Sequence, residues 1–301
     1  MNASSYLLVL GTAQLGFNYG IANAGKTEQP TQTTANAIVQ EAWENGIREF
    51  DTAQGYGKSE QALGEALSKL GVSAEALVIS KFDPALDHLD RNVLSNAVGE
   101  SLSRLGVPSL YGMMLHKEKM LSAWDNGLSK IFHTFVVSGK IKHIGISVYS
   151  PEKAIQALNT DGIDMVQLPT NILDRRFETA GVFQLAEEKK KKIYIRSVFL
   201  QGLILMDADE IPEKMSFAKP VIEELESISN ELKLSRKKLA LDYIKSEMPD
   251  AKVVFGADTP LHVKENVACW EGELPPSSVD RVKMVFDHVD EKILNPTLWP
   301  D

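Results

Sequence analysis

Eight short apolar segments recur along this chain, alternating with segments of helical periodicity. The apolar segments end near residues 10, 51, 81, 115, 147, 169, 197 and 255. Their mean spacing is close to the roughly 31 residues per unit expected when about 250 residues form eight strand–helix units. Strands that are separated by helices run parallel, and eight of them can close into a ring. The sequence therefore predicts an α/β fold of the (β/α)8 TIM-barrel class.

The same pattern bears on domain organisation. No proline- and glycine-rich segment or change of composition divides the chain. We therefore expect a single domain over residues 1–301, with a C-terminal helix and tail over the barrel mouth. A doubly wound open sheet is the alternative. It is disfavoured because residues 11–14 read Gly-Thr-Ala-Gln, whereas a dinucleotide-binding sheet has a G-x-G-x-x-G turn after its first strand.

Polar residues stand at the ends of three successive predicted strands. Asp51 ends one apolar strand, Lys81 ends the next, and His116 follows the third. A buried carboxylate is costly unless it is paired, so Lys81 is a candidate partner for Asp51. Tyr56 lies in the loop after Asp51. Because reactive groups of barrel enzymes sit at the carboxyl ends of strands, these four residues form a candidate catalytic group.

Composition limits the class of protein further. With 301 residues and 44% hydrophobic content, the chain can bury a large core. The net charge of -9 argues against nucleic-acid binding. The first apolar run, residues 6–10, is too short for a signal sequence or a membrane span, and the single cysteine, Cys269, suits the cytoplasm. The six histidines show no metal-ligand spacing, so no metal is expected. The oligomeric state is left open.

Taken in order, the motifs resemble those of the aldo/keto reductase family over nearly the whole chain. The matching segments are residues 10–13, 50–53, 56–57, 59–60, 80–81, 115–116, 139–147, 167–171, 201–203, 256 and 265–266. The resemblance implies a catalytic tetrad of Asp51, Tyr56, Lys81 and His116. It also implies a small-molecule carbonyl substrate and a nicotinamide cofactor, NADP(H) or NAD(H).

The chemistry of these four residue types fits carbonyl reduction. A carbonyl that accepts hydride develops negative charge on oxygen and needs a proton donor. A phenol has a pKa of about 10, and a neighbouring ammonium favours its ionisation. In this interpretation Tyr56 donates the proton, Asp51 keeps Lys81 charged and aimed, and His116 orients the carbonyl. The hydride must come from a nicotinamide, since no side chain supplies one.

The resemblance also implies a set of cofactor-binding residues, in which this chain departs from the usual pattern. Val148 stands where an asparagine is common, and Arg196 stands where an aromatic residue usually stacks on the nicotinamide. A guanidinium plane can also stack, although Arg196 could instead form a salt bridge at the barrel mouth. The expected cofactor-binding residues are Thr12, Asp51, Ser147, Gln167, Arg196, Phe199, Gln201, Gly202, Gly256, His262, Glu265 and Asn266.

The preference between the two cofactors stays open at this point. Gly256 replaces a lysine that is often found there, and His262 stands at a site often held by arginine or glutamine. Asp258 would repel a 2'-phosphate. Only the family resemblance favours NADP(H).

The sequence thus predicts an NAD(P)H-dependent reductase of aldehydes or ketones, including sugar-like ones. Substrate choice is expected to rest on the loops at residues 117–124 and 203–217 and on the tail at residues 295–301. Two alternatives remain. One is a Schiff-base lyase or aldolase that uses Lys81 as its amine. The other is a non-catalytic nicotinamide-sensing subunit.

Overall fold

Eight parallel strands close into a barrel in chain order. The structure is a computed structural model that describes residues 5–17, 20–21 and 30–300. Each strand pairs with its neighbours in sequence, and the last pairs with the first. The predicted (β/α)8 fold is therefore confirmed. The strands are β1 Leu8–Gly11, β2 Glu49–Asp51, β3 Leu77–Lys81, β4 Leu110–Leu115, β5 Ile141–Ser147, β6 Met165–Pro169, β7 Lys192–Arg196 and β8 Lys252–Gly256.

The strands are apolar because both of their faces are covered, one by the barrel interior and one by helices. Their register sets the height of each strand end. Gly11 pairs with Asp51 and with Gly256, and Ser147 pairs with Gln167. The carboxyl ends of the strands therefore share one rim of the barrel.

Helices surround the barrel and begin where the local sequence favours it. Side chains that accept a backbone N–H of the first helical turn come from Thr31, Asp90, Ser150, Ser235 and Thr259. The helices are α1 Ala13–Gly16, α2 Gln32–Glu44, α3 Ser59–Leu70, α4 Arg91–Leu105, α5 Ser129–Val137, α6 Pro151–Leu158, α7 Arg176–Thr179, α8 Val182–Glu188, α9 Lys219–Leu232, α10 Arg236–Glu247, α11 Pro260–Cys269, α12 Pro276–Val285 and α13 Glu291–Leu294. In the part of the chain described here, no helix is both long and apolar enough to cross a bilayer.

Shorter helical segments complete the loops. The 3-10 segments are Ser5–Leu7, Glu118–Ala123, Leu200–Leu205, Ala208–Glu210, Glu213–Ala218 and Pro296–Leu298, and Trp124–Leu128 is a π segment. Three of these, beginning at Leu200, Ala208 and Glu213, lie in the long connection between β7 and α9.

The barrel interior is packed with side chains and is not a channel. Its apolar cluster consists of Val9, Ile79, Met114, Met165, Tyr194 and Val254. At the amino end of the strands, the Tyr194 hydroxyl donates to the buried carboxylate of Glu49 at 2.8 Å, and Lys252 Nζ lies 2.7 Å from the same carboxylate. Burial and the adjacent carboxylate raise the pKa of Tyr194, which keeps its hydroxyl a donor. These contacts close the amino end, and the candidate site lies at the opposite rim.

The C-terminal segment forms two helices, α12 and α13, where a single helix was expected. The Trp299 indole donates to the carbonyls of Lys292 and Ile293, which folds the tail back on α13. Arg176, in the segment after β6, lies 3.6 Å from Glu291. The position of the tail over the barrel mouth stays a prediction, as does the assignment of all 301 residues to one domain.

Candidate active site

A buried ion pair joins the ends of β2 and β3. Lys81 Nζ lies 2.6 Å from Asp51 Oδ2 and donates to the Thr52 carbonyl at 2.9 Å. Gln167 Nε2, from β6, donates to Asp51 Oδ1 at 2.8 Å. Lys81 is only 1% exposed, and Asp51 4%. Since both carboxylate oxygens and the ammonium have partners, the pair is held in one geometry.

The charge on Lys81 decides which chemistry this pair can perform. Burial lowers the pKa of Lys81, but the Asp51 carboxylate and the Tyr56 phenol outweigh it, so the pKa is raised above its ordinary value. The side chain is therefore an ammonium at neutral pH. A Schiff-base lyase needs a neutral amine as its nucleophile. The structure thus disfavours the lyase alternative.

Tyr56 lies beside this ammonium in the loop after β2. Lys81 Nζ is 5.0 Å from the centroid of the Tyr56 ring. The loop is tightly built, because the Tyr56 N–H donates to the Ala53 carbonyl at 3.0 Å and the Tyr56 carbonyl accepts from the Ser59 N–H at 2.9 Å. A Cβ at Gly16 would lie 1.7 Å from the Tyr56 carbonyl oxygen, so only glycine permits this approach of α1. Local packing therefore fixes the backbone from which the phenol projects.

His116 completes the group from the end of β4. Its ring packs edge-on against Tyr56, with centroids 5.6 Å apart and an interplanar angle of 79°. Its Nδ1 is buried with no hydrogen-bond partner among the described residues. Burial, followed by the positive charges of Lys81 and Arg196, lowers the pKa of His116 to about 3. The imidazole is therefore neutral at physiological pH and can both donate and accept one hydrogen bond.

The four residues that the sequence predicts to be catalytic thus lie together at one rim of the barrel. They provide a phenol, a permanent ammonium, a carboxylate that holds it, and a neutral imidazole. This set can protonate an oxygen and orient it. Their catalytic roles stay predictions. In the described part of the chain, no group of three or more histidine, cysteine or acidic side chains could hold a metal ion.

A cavity of about 410 Å³ begins at Asp51 and Tyr56 and extends along the rim toward α10 and α11. Nine of the twelve expected cofactor-binding residues line it, namely Thr12, Asp51, Arg196, Phe199, Gln201, Gly202, Gly256, His262 and Asn266. The other three are adjacent to the lining. Ser147 and Gln167 are paired at the buried ends of β5 and β6. Glu265 binds Lys237, which does line the cavity.

The loop after β7 forms one wall of the cavity in an unusual backbone conformation. Ser197, Leu200 and Gln201 have positive φ angles of 61°, 47° and 54°. A non-glycine residue in this region costs about 1–3 kcal/mol, and such residues concentrate at ligand sites. Ser197 and Gln201 line the cavity. The strained turn therefore points to a ligand-binding role for this loop.

The far end of the cavity carries both a polar acceptor and a cation. Asn266 is 3% exposed, and its Oδ1 has no hydrogen-bond partner within the described residues. Lys237 Nζ lies 2.5 Å from Glu265 Oε2. Sequence analysis missed Lys237, although the basic run at residues 236–238 directly after the Ser235 cap offered a clue. A buried acceptor beside a cation suits a polar, anionic ligand.

Arg196 stands at the inner end of the cavity. One face of its guanidinium packs on the Tyr149 ring, 4.3 Å from the centroid. Its Nη1 donates to Ser197 Oγ at 3.5 Å, and its Nη2 donates to the Val148 carbonyl at 3.4 Å. No carboxylate within the described ranges lies within 4 Å of it. The salt bridge considered from the sequence is therefore not present among these residues.

Comparison with known proteins finds a matching family, sequence relatives and structures with the same fold. A sequence model described as the aldo/keto reductase family matches residues 7–287. Protein REDOX 2 of Catharanthus roseus is 25% identical over 90% of this chain and 89% of its own length. L-glyceraldehyde 3-phosphate reductase of Escherichia coli is 26% identical over 63% of this chain and 58% of its own length. A glycerol dehydrogenase structure from Gluconobacter oxydans shares the fold, with a TM-score of 0.77 and 20% identity over 94% of each chain.

Proposed function

Because this chain belongs to the aldo/keto reductase family, we propose that it is an NAD(P)H-dependent reductase that converts an aldehyde or ketone into an alcohol. The observation that carries this proposal is the meeting of Tyr56, His116 and the Asp51–Lys81 ion pair at the inner end of a cavity. The set supplies a proton, and a cavity of about 410 Å³ beside it offers a site for ligands.

Each member of the set has a distinct task. A bound nicotinamide supplies the hydride. Tyr56 donates its hydroxyl proton to the carbonyl oxygen as negative charge develops there. The Lys81 ammonium stabilises the charge left on the phenol, and Asp51 keeps that ammonium in place. The neutral imidazole of His116 donates a hydrogen bond to the same carbonyl oxygen.

The residues along the cavity fit a nicotinamide dinucleotide. The unpartnered Oδ1 of Asn266 would accept a hydrogen bond from the adenine amino group. Thr12, Gln201 and Gly202, which line the middle of the cavity, would follow the pyrophosphate. At the inner end, Ser147 and Gln167 would hold the carboxamide, and the open face of Arg196 would stack on the ring.

We favour NADP(H) over NAD(H) because of Lys237. This side chain lines the adenosine end of the cavity and would neutralise a 2'-phosphate. Glu265 holds Lys237 at that position, although Glu265 and Asp258 both place negative charge nearby. The single-cysteine composition keeps the cytoplasm as the proposed location.

The test is carbonyl reduction by the purified protein. Loss of nicotinamide absorbance is followed with NADPH and NADH over a panel of aldehydes, ketones and sugars. Tyr56→Phe should lower kcat at least about 100-fold, because the proton donor is gone. NADPH binding, measured by quenching of protein fluorescence, should stay near that of the wild type. Tyr6→Phe, at a tyrosine 62% exposed on the surface, is the matched control.

Other outcomes would overturn the proposal. Full turnover by Tyr56→Phe would remove Tyr56 as the proton donor. Borohydride trapping of a carbonyl compound on Lys81 would instead favour the lyase. Tight NADPH binding without turnover of any carbonyl in the panel would favour a nicotinamide-sensing protein.

A further inference from the structure

The inner end of the cavity carries one positive charge, on Arg196, that no carboxylate among the described residues pairs with. Lys81 is paired with Asp51, and the imidazole of His116 is neutral. Arg196 has no carboxylate within 4 Å among the residues described. A half-buried charge of this kind is unfavourable unless a counterion joins it.

Two acidic side chains near this end of the cavity do not form an ion pair with Arg196. Glu118 Oε2 accepts a hydrogen bond from the backbone N–H of Tyr149 at 2.8 Å. Tyr149 is the residue whose ring packs against the guanidinium of Arg196. Asp83 lies close enough to His116 to influence its pKa, but it is not an ion-pair partner of Arg196. Lys117 adds a further positive charge near His116. Neither Glu118 nor Asp83 forms an ion pair with Arg196, so its guanidinium is the group at this end of the cavity that can contact an anionic ligand directly.

The guanidinium of Arg196 can bind one group on its flat face and another at its N–H edge. Tyr149 covers one face at 4.3 Å, and the N–H groups lie in the guanidinium plane. Their contacts to Ser197 Oγ and to the Val148 carbonyl are long, at 3.5 and 3.4 Å. A nicotinamide ring stacked on the opposite face would use none of these N–H groups. An uncharged ring would also not neutralise the charge of the arginine. The edge is thus available to a planar anion with two oxygens.

We infer that the substrate is an aldehyde or ketone that carries a carboxylate, and that Arg196 binds this carboxylate while Tyr56 and His116 bind the carbonyl oxygen. This inference rests on the reductase activity proposed above and specifies its substrate class. Tyr56 and Arg196 line the same cavity, and the charge of Arg196 reaches His116. Since His116 packs against Tyr56, we expect one molecule in this cavity to reach all three side chains. The planar guanidinium can hold the two coplanar oxygens of a carboxylate through two parallel N–H···O contacts.

The experiment compares 4-carboxybenzaldehyde with its uncharged methyl ester, methyl 4-formylbenzoate. Wild-type protein should show a kcat/KM for the carboxylate that is about 10- to 100-fold above that for the ester, the range of a charge-assisted hydrogen-bond pair. Arg196→Gln should bring this ratio close to one. Arg196→Lys, which keeps the charge without the fork, should give an intermediate ratio.

A control arginine separates this effect from a general loss of charge. Arg48 also stacks on an aromatic ring, 3.9 Å from the centroid of Trp43, but does not line the cavity. Arg48→Gln should keep the wild-type ratio. An unchanged ratio in Arg196→Gln, or weaker NADPH binding as its only defect, would overturn the inference. Preference for 4-formylphenyl phosphate over the carboxylate would also overturn it.

A binding measurement keeps this inference distinct from the proposed function. Calorimetry would compare 4-(hydroxymethyl)benzoate with its methyl ester on the protein alone and on the protein saturated with NADPH. Carboxylate-selective binding that Arg196→Gln abolishes would support the anion site even if no aldehyde were reduced. Reduction of both aldehydes with no carboxylate-selective binding would sustain the reductase and refute the anion site.

Discussion

Lys81 Nζ lies 2.6 Å from Asp51 Oδ2 inside a barrel rim where neither side chain is more than 6% exposed. The two charges depend on each other, because each is the other's only counterion in this contact. When one partner of a buried ion pair is removed, the other remains as an uncompensated charge. Loss of either charge should therefore destabilise the barrel mouth and disturb the candidate catalytic residues together.

A double-mutant comparison tests this coupling. Asp51→Asn should reduce the free energy of unfolding by about 3–5 kcal/mol, because it strands the Lys81 ammonium. Asp51→Asn combined with Lys81→Met should be more stable than Asp51→Asn alone, since the stranded charge is gone. Both variants should lose carbonyl reduction. Urea unfolding at neutral pH measures the free energy of unfolding of each variant. A double variant no more stable than Asp51→Asn would contradict the coupling between the two charges.

The pH dependence of stability should report the depressed pKa of His116. Its pKa falls from an ordinary value of 6.5 to about 3 in the folded protein. The unfolded chain thus binds a proton that the folded chain excludes, and stability falls as pH drops from about 6.5 toward 3. His116→Asn should flatten this slope by at most about 1.4 kcal/mol per pH unit. Unfolding titrations between about pH 6 and pH 4 measure it, and identical slopes would contradict the neutral imidazole.

Backbone packing at Gly16 should matter for turnover. A Cβ at this residue would overlap the Tyr56 carbonyl oxygen at 1.7 Å. Gly16→Ala should displace the Tyr56 loop and lower kcat/KM at least about 10-fold. Gly99→Ala, inside α4 with nothing within 4 Å of the new Cβ, should keep turnover and stabilise the protein by up to about 1 kcal/mol. Equal kinetics in the two variants would show that Gly16 does not position Tyr56.

The barrel and the four-residue group could be predicted from the sequence because each depends on local order along the chain. A parallel strand buried on both faces is a short apolar run, and a residue at its carboxyl end reaches the rim in any closed barrel. Asp51, Lys81 and His116 therefore lie where the pattern indicated. The pattern also gave the family resemblance, which the match over residues 7–287 confirms.

Contacts between distant loops could not be predicted in this way. Arg196 stacks on Tyr149, which lies 47 residues earlier, and this contact exists only because β5 and β7 both end at the same rim. Lys237 enters the cavity from α10, whose position depends on the long connection after β7. The C-terminal helix divides into α12 and α13, although its apolar periodicity suggested continuity. Side-chain reach and loop paths are properties of the folded chain.

Cofactor preference tests the role of Lys237. NADPH differs from NADH by a 2'-phosphate, and Lys237 is a cation that lines the end of the cavity where we propose that adenosine binds. Lys237→Ala should weaken NADPH binding about 10- to 100-fold, because a charge-assisted contact to the phosphate is lost. NADH binding should change little, since NADH has an uncharged hydroxyl at that position. Fluorescence titration with each cofactor measures both affinities.

The neighbouring lysine provides the control for Lys237→Ala. Lys238 Nζ lies 2.9 Å from Asp242 on the same helix and does not line the cavity. Lys238→Ala should therefore leave the NADPH-to-NADH affinity ratio unchanged. Lys237 Nζ lies 2.5 Å from Glu265 Oε2. If Lys237→Ala weakened the binding of both cofactors equally, the lysine would serve to hold Glu265 near the adenine rather than to select the phosphate. If neither affinity changed, the 2'-phosphate would have to lie elsewhere along the rim.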